Sequence, residues 1–184
     1  MNKDLILKYM DEYLENPTSL NLVNYTLHED FAKTNISVTF NIDGERVCVE
    51  SSGVGLVDAG FNALSTHFCQ KYPSIKNINL SDIYFRIDRK QDYHLNLKSK
   101  TILKLEFEND KKNKVLFESK TSSIGLTSIN VLCKAFEFYV NCENLFKRIK
   151  FLIEDANKRN RTDMSSKYSY ILSKVVEVTT YKDV

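Results

Sequence analysis

The spacing of apolar side chains predicts most of the secondary structure. Leu5, Ile6, Tyr9, Met10, Tyr13 and Leu14 recur every three to four residues, which predicts an amphipathic helix over 3–15 that ends at Asn16-Pro17-Thr18. Leu20, Leu22 or Val23, Tyr25 and Leu27 alternate, as a strand requires. Ile36, Val38, Phe40 and Ile42 then alternate with Ser37, Thr39 and Asn41, and Val47 and Val49 alternate with Arg46, Cys48 and Glu50. Asp43-Gly44 joins these runs, and a type I′ hairpin turn needs positive φ at both central residues. After the small-residue loop Ser51-Ser52-Gly53-Val54-Gly55, helical spacing runs from Leu56 to about Tyr72, just before Pro73.

The order then repeats. Ile78 to Ile87 reads as a strand with Ile83, Phe85 and Ile87 on one face. Residues 89–99 are polar and read as a long loop or irregular ribbon. Ile102 to Phe107 and Val115 to Phe117 form the next hairpin, around Asn109–Asn113. Thr121-Ser122-Ser123-Ile124-Gly125 is a second small-residue loop, and a second helix is expected from Leu126 to Val140. Val47–Leu56 (VCVESSGVGL) can be laid on Val115–Leu126 (VLFESKTSSIGL) if the second copy carries two extra loop residues. The fold expected is α+β: two β-rich units, each closed by a helix (βββα twice), with an N-terminal helix and a C-terminal helical extension. The expected divisions are 1–17 for the N-terminal segment, 18–142 for the paired units (about 18–73 and 74–142), and 143–184 for the extension. Within the extension, Leu145–Ala156 has helical spacing and 157–166 reads as polar loop. Residues 168–180 read as helix or strand, with Val175, Val176 and Val178 favouring strand.

Composition narrows the function classes. A net charge of +2 lacks the basic excess of a dedicated nucleic-acid binder. Lys111, Lys112 and Lys114 read as a solvated hairpin tip. No apolar run reaches the ~18–20 residues of a membrane span, and Met1–Asp4 does not open a signal peptide, so a cytoplasmic chain is expected. The starting Met favours a whole chain over the tail of a longer one. Cys48, Cys69, Cys133 and Cys142 form no CxxC pair, and His28, His67 and His94 are isolated. Buried, reduced thiols and no metal site are expected, with no cofactor. Ser-His-Asp order, a Cys–His pair and a phosphate loop are all missing, so no catalytic residue is assigned.

Five glycines in the whole chain draw attention to the helix-opening loops. The stretch Ile36–Glu50, the loop Gly53-Val54-Gly55-Leu56-Val57-Asp58-Ala59 and the helix through Ala63-Leu64 resemble the C-terminal regulatory domain of 2-isopropylmalate synthase, which related citramalate synthases share. That family carries a G-N-G-P-V-D-A loop. Gly53, Gly55, Val57, Asp58 and Ala59 match it, while Val54 replaces Asn and Leu56 replaces Pro. Ser123–Ser128 stands at the second helix-opening loop, and the resemblance covers roughly residues 20–142.

The resemblance implies a non-catalytic, homodimeric domain that binds leucine, isoleucine or a related small carboxylate. The family's ~250-residue catalytic barrel has no room in this chain, so the resemblance implies either regulation of a barrel-type synthase in trans or a detached sensor. The ligand-binding set it implies is Gly53, Val54, Gly55, Leu56, Val57, Asp58, Ala59, Ile124, Gly125, Leu126, Thr127 and Ser128. Helix N-termini suit a carboxylate, Leu56, Val57, Ile124 and Leu126 could wall an aliphatic side chain, and Asp58 could receive an ammonium group. Each residue also has a plainer role: Asp58 as a helix-end acid, Thr127 and Ser128 as caps, and Gly60 as a packing glycine. The alternative is a dimerisation or scaffold module without a ligand, with Val54 and Leu56 marking a decayed pocket.

Overall fold

The computed structural model describes residues 3–88 and 99–179. Helix α1 (Lys3–Tyr13) leads into β1 (Leu20–Glu29), β2 (Thr34–Ile42) and β3 (Glu45–Gly53), then α2 (Leu56–Phe68) and a short 3₁₀ turn at Pro73–Asn77. Strands β4 (Asn79–Asp88), β5 (Lys100–Glu108) and β6 (Lys114–Thr121) follow, then α3 (Ile124–Lys158) and α4 (Thr162–Val178). The strands form two antiparallel three-stranded sheets, ordered β1-β2-β3 and β4-β5-β6. The α+β class and the doubled βββα order are as expected. Of the polar stretch 89–99, residues 89–98 lie outside the described residues.

Strand register shows how far the duplication extends. Phe40 faces Val47, Val38 faces Val49, Ile36 faces Ser51 and Thr34 faces Gly53. In the second sheet Phe107 faces Val115, Leu105 faces Phe117, Leu103 faces Ser119 and Thr101 faces Thr121. The Glu-Ser pairs at 50–51 and 118–119 therefore occupy the same place. A bulge interrupts β1 between Leu22 and Asn24, and β4 between Leu80 and Asp82, each just after the residue that faces Phe40 or Phe107. The hairpin turn at Asp43 (φ 49°) and Gly44 (φ 92°) is the expected one.

The register corrects the loop alignment. Gly53 and Thr121 are equivalent, and helical N-caps follow two residues later at Gly55 and Ser123. The loops have equal length. Gly55 matches Ser123, Leu56 matches Ile124, and Gly125 matches Val57 in the first helical turn. The shared Gly-Leu letters misplace the second helix by two residues.

The same frame makes Phe68 and Phe136 equivalents. Their rings stack on each other with centroids 5.7 Å apart and 25° between planes. Phe40 stacks on Phe68, and Phe61 reaches both Phe136 and Phe107. The two helices thus bring both sheets into one core, where Phe40, Phe107 and Phe117 are buried. Gly60 lets α2 approach α3 closely: a Cβ there would stand 2.8 Å from Leu132 Cδ1 and 3.1 Å from Ile129 Cδ1. Packing is the role this glycine fills.

Two expectations are overturned. The second helix does not stop near Val140. α3 runs unbroken to Lys158, so residue 142 falls inside a helix. Its polar stretch Asn141–Asn144 is a set of anchors: Asn141 accepts from Thr18 N–H and donates to Thr18 C=O (both 2.8 Å), and buried Glu143 accepts from Ser74 Oγ (2.7 Å). Residues 162–178 are helix, in line with the expected helical extension and against the strand the valines favoured, because Ile171, Val175 and Val178 all fall on the buried side of α4 and burial outweighs β-propensity. Ile83 and Phe85 share a face of β4 as expected, and both are about half exposed.

Asn109 ties α4 to the second hairpin. Its side-chain oxygen accepts from Lys111 and Asn113 N–H (3.0 Å each), and its amide donates to the carbonyls of Glu177 (3.0 Å) and Val178 (3.3 Å). Those carbonyls end a helix and have no partner of their own within it. Asn109→Ala is expected to cost about 2 kcal/mol, because it strands buried polar groups; urea unfolding of the two proteins checks the figure.

Candidate functional site

The first loop folds tightly onto α2. A Cβ at Gly53 would lie 2.3 Å from Asp58 Oδ2 and 2.6 Å from Ala59 N, so glycine is required by the close approach. Val54 N–H donates to Asp58 Oδ2 (2.9 Å), an acid in the first turn reaching back outside the helix. Ala59 is fully buried, Val54 is exposed, and Leu56 and Val57 are half-buried. Gly55, the N-cap, has extended backbone (φ −159°, ψ 178°) and gives the first turn no side-chain acceptor. A Cβ at Gly55 would meet nothing within 4 Å. The first-turn N–H groups of α2 therefore receive no side-chain acceptor from the N-cap, and they lie at the positive end of the helix.

The second loop closes on itself. Ser123 Oγ accepts from Leu126 N–H (3.3 Å). Thr127 Oγ1 lies 2.6 Å from Ser123 C=O and 2.7 Å from Thr121 Oγ1, and Ser128 Oγ donates to Ile124 C=O (2.9 Å). Thr127 and Ser128 are buried, so both hydroxyls serve the loop and helix. Above Gly125 sits Tyr25 of β1, its hydroxyl 2.1 Å from where a Cβ would stand. Ile124 and Leu126 stay exposed. Sequence reading could not find Tyr25, because it reaches Gly125 from a strand a hundred residues earlier.

An open polar cleft of about 660 Å³ lies elsewhere. It runs between the rims of the two sheets, with Leu20–Leu22 on one side and Glu118–Thr121 on the other, and Asn130, Cys133 and Lys134 also line it. Burial pushes the Cys133 thiol up to about 12, so it is a poor nucleophile. Cys142 is likewise buried and shifted up. Cys48 departs from the expectation of buried thiols: it is exposed on the outer face of β3, 3.2 Å from Ser37 Oγ. Among the described residues no group of three or more His, Cys, Asp or Glu is placed to hold a metal ion, and no helix is long and apolar enough to cross a membrane. At the basic hairpin tip, Lys112 and Lys114 pair with Glu108 and Glu106.

His67 packs edge-on against Phe40 and Phe68, and burial lowers its pKa. The unfolded chain then takes up this proton first as pH falls below about 6.5. The stability His67 provides is complete above that pH and is lost as pH drops towards its lowered folded value. A pH series of urea midpoints should show wild type losing more stability than His67→Gln between pH 7.5 and 5.5.

No family model matches the sequence, and a search of curated proteins finds no match.

Proposed function

We propose that the chain is a non-catalytic, dimeric regulatory-type module, resembling that of 2-isopropylmalate synthase, that binds leucine, isoleucine or a related small carboxylate at the start of α2. The observation that carries this reading is the uncapped N-terminus at Gly55, set against the capped and covered equivalent at Ser123. A ligand carboxylate would take the open N–H groups of the first turn, and Leu56 and Val57 would flank its aliphatic part. Asp58 is exposed, and its carboxylate could receive an ammonium group while still holding Val54 N–H. This favours a zwitterionic amino acid over its oxo-acid. Only one site per chain is proposed. By acting on a barrel-type synthase in trans, the module would be allosteric only if the ligand distinguished two states of that partner.

Gly55→Asp tests the site without disturbing the fold. The extended backbone accepts any residue, and Asp is a favoured N-cap. The variant should unfold within about 0.5 kcal/mol of wild type, yet lose the thermal shift that leucine or isoleucine gives wild type, because its own carboxylate fills the site. An unchanged shift in the variant would place the ligand elsewhere.

A second reading is a dimerisation or scaffold module with no small-molecule ligand. It is favoured by the self-contained second loop and by Asp58 already holding Val54 N–H. A stable dimer that shows no thermal shift with any branched-chain amino acid would select it.

A further inference from the structure

The two units treat their first strands differently. β1 lies against α3: Leu20 N–H donates to Glu137 Oε2 (2.7 Å), and Tyr25 covers Gly125. Its counterpart β4 stays on the rim of its sheet, with Ile83 47%, Tyr84 49% and Phe85 50% exposed. Exposed apolar edges invite pairing, and proteins commonly blunt them with charge. β4 does carry charges, at Asp82, Arg86 and Asp88, but their spacing is self-complementary in one register.

If β4 is laid antiparallel on a second copy of itself with Tyr84 at the pivot, Asp82 faces Arg86 twice, Ile83 faces Phe85 twice, and Tyr84 faces its own copy. Alternation then gathers the ion pairs and tyrosines on one face of the sheet, and the Ile–Phe pairs on the other. A pivot at Phe85 instead sets Arg86 opposite Tyr84 and leaves it no acid to face, so the first register is the one that pairs opposite charges. In the single chain Asp88 already pairs with Lys120 of β6, and the Asp82 carboxylate is held by the neighbouring Tyr84 hydroxyl on its own strand. Asp82 Oδ1 accepts from the adjacent Ile83 N–H (2.8 Å), and Arg86 forms no ion pair among the described residues.

We propose that β4 is the seam of a homodimer, pairing antiparallel about Tyr84 and joining two three-stranded sheets into one of six strands. The proposal rests on the dimeric half of the reading above and is independent of its ligand half. The area involved is small, so the dimer belongs among concentration-dependent associations.

Sedimentation across a concentration series tests it. Asp82→Arg and Arg86→Asp should each weaken the dimer at least about tenfold, since each replaces two attractions by two repulsions. The double variant should restore it to within about threefold, because the exchanged charges again face each other. Residues opposed across antiparallel strands have Cα atoms about 4.5–5.5 Å apart, within disulfide reach. Tyr84→Cys in a Cys48→Ser background should therefore oxidise to a reducible dimer, and Cys48→Ser alone should not. Unchanged urea midpoints would show that the variants fold. A dimer indifferent to both reversals and without the cross-link would overturn this seam while leaving a dimeric module standing. A monomer at every concentration would overturn both the seam and the dimeric half of the reading, leaving ligand binding to be judged separately.

Discussion

Phe136→Ala is expected to destabilise the protein by about 3–5 kcal/mol, a large part of the stability of a chain this size. The ring is 2% exposed, stacks on Phe68 and packs against Phe61. Phe68 in turn stacks on Phe40 of the first sheet, and Phe61 lies against Phe107 of the second. Removing one ring opens a cavity where the two units meet, with neighbours from both units bordering it. Relaxation is limited because α2 and α3 are already in close contact at Gly60. Phe136→Leu keeps most of the volume and should cost about half as much. Equilibrium denaturation measures both. If the alanine variant lost less than ~1 kcal/mol, the shared core would not be what holds the units together.

Gly53→Val is the second large effect, expected at about 3 kcal/mol or more. Here the obstacle includes backbone: a Cβ would sit 2.6 Å from Ala59 N and 2.9 Å from Ala59 Cα, besides 2.3 Å from Asp58 Oδ2. A flexible side chain can turn away, but the first turn of a helix cannot. The loop must therefore lift off α2, breaking the Val54–Asp58 hydrogen bond. Gly55→Ala, two residues on, should be nearly neutral because the space before it is open. The contrast between two glycines of one short loop separates a steric requirement from an open position. Comparable losses at both would contradict the loop geometry.

Much of the fold could be read from local pattern. Asp43-Gly44 and its flanking alternation specify a hairpin, and the two Glu-Ser pairs marked equivalent strands before the register aligned them. Features that local pattern does not give depend on distant partners. The helix expected to end at Val140 runs on, and its polar residues Asn141 and Glu143 are held by Thr18 and Ser74, far away in sequence. Val175 and Val178 look like strand residues until they are placed on one side of α4. At the candidate site, the sequence pointed to two similar loops. The structure separates them: Ser123 caps its helix and Tyr25 covers Gly125, whereas Gly55 leaves the start of α2 open. Neither difference follows from the shared Gly-Leu letters.

The proposed function stands on a single small-carboxylate site at the start of α2. Isothermal calorimetry of the wild-type chain with leucine and isoleucine, each beside its oxo-acid, tests it most directly. Saturable binding of one molecule per chain is expected, tighter for an amino acid than for its oxo-acid. No heat from any of the four, with the chain alone or together with a barrel-type synthase, would contradict it.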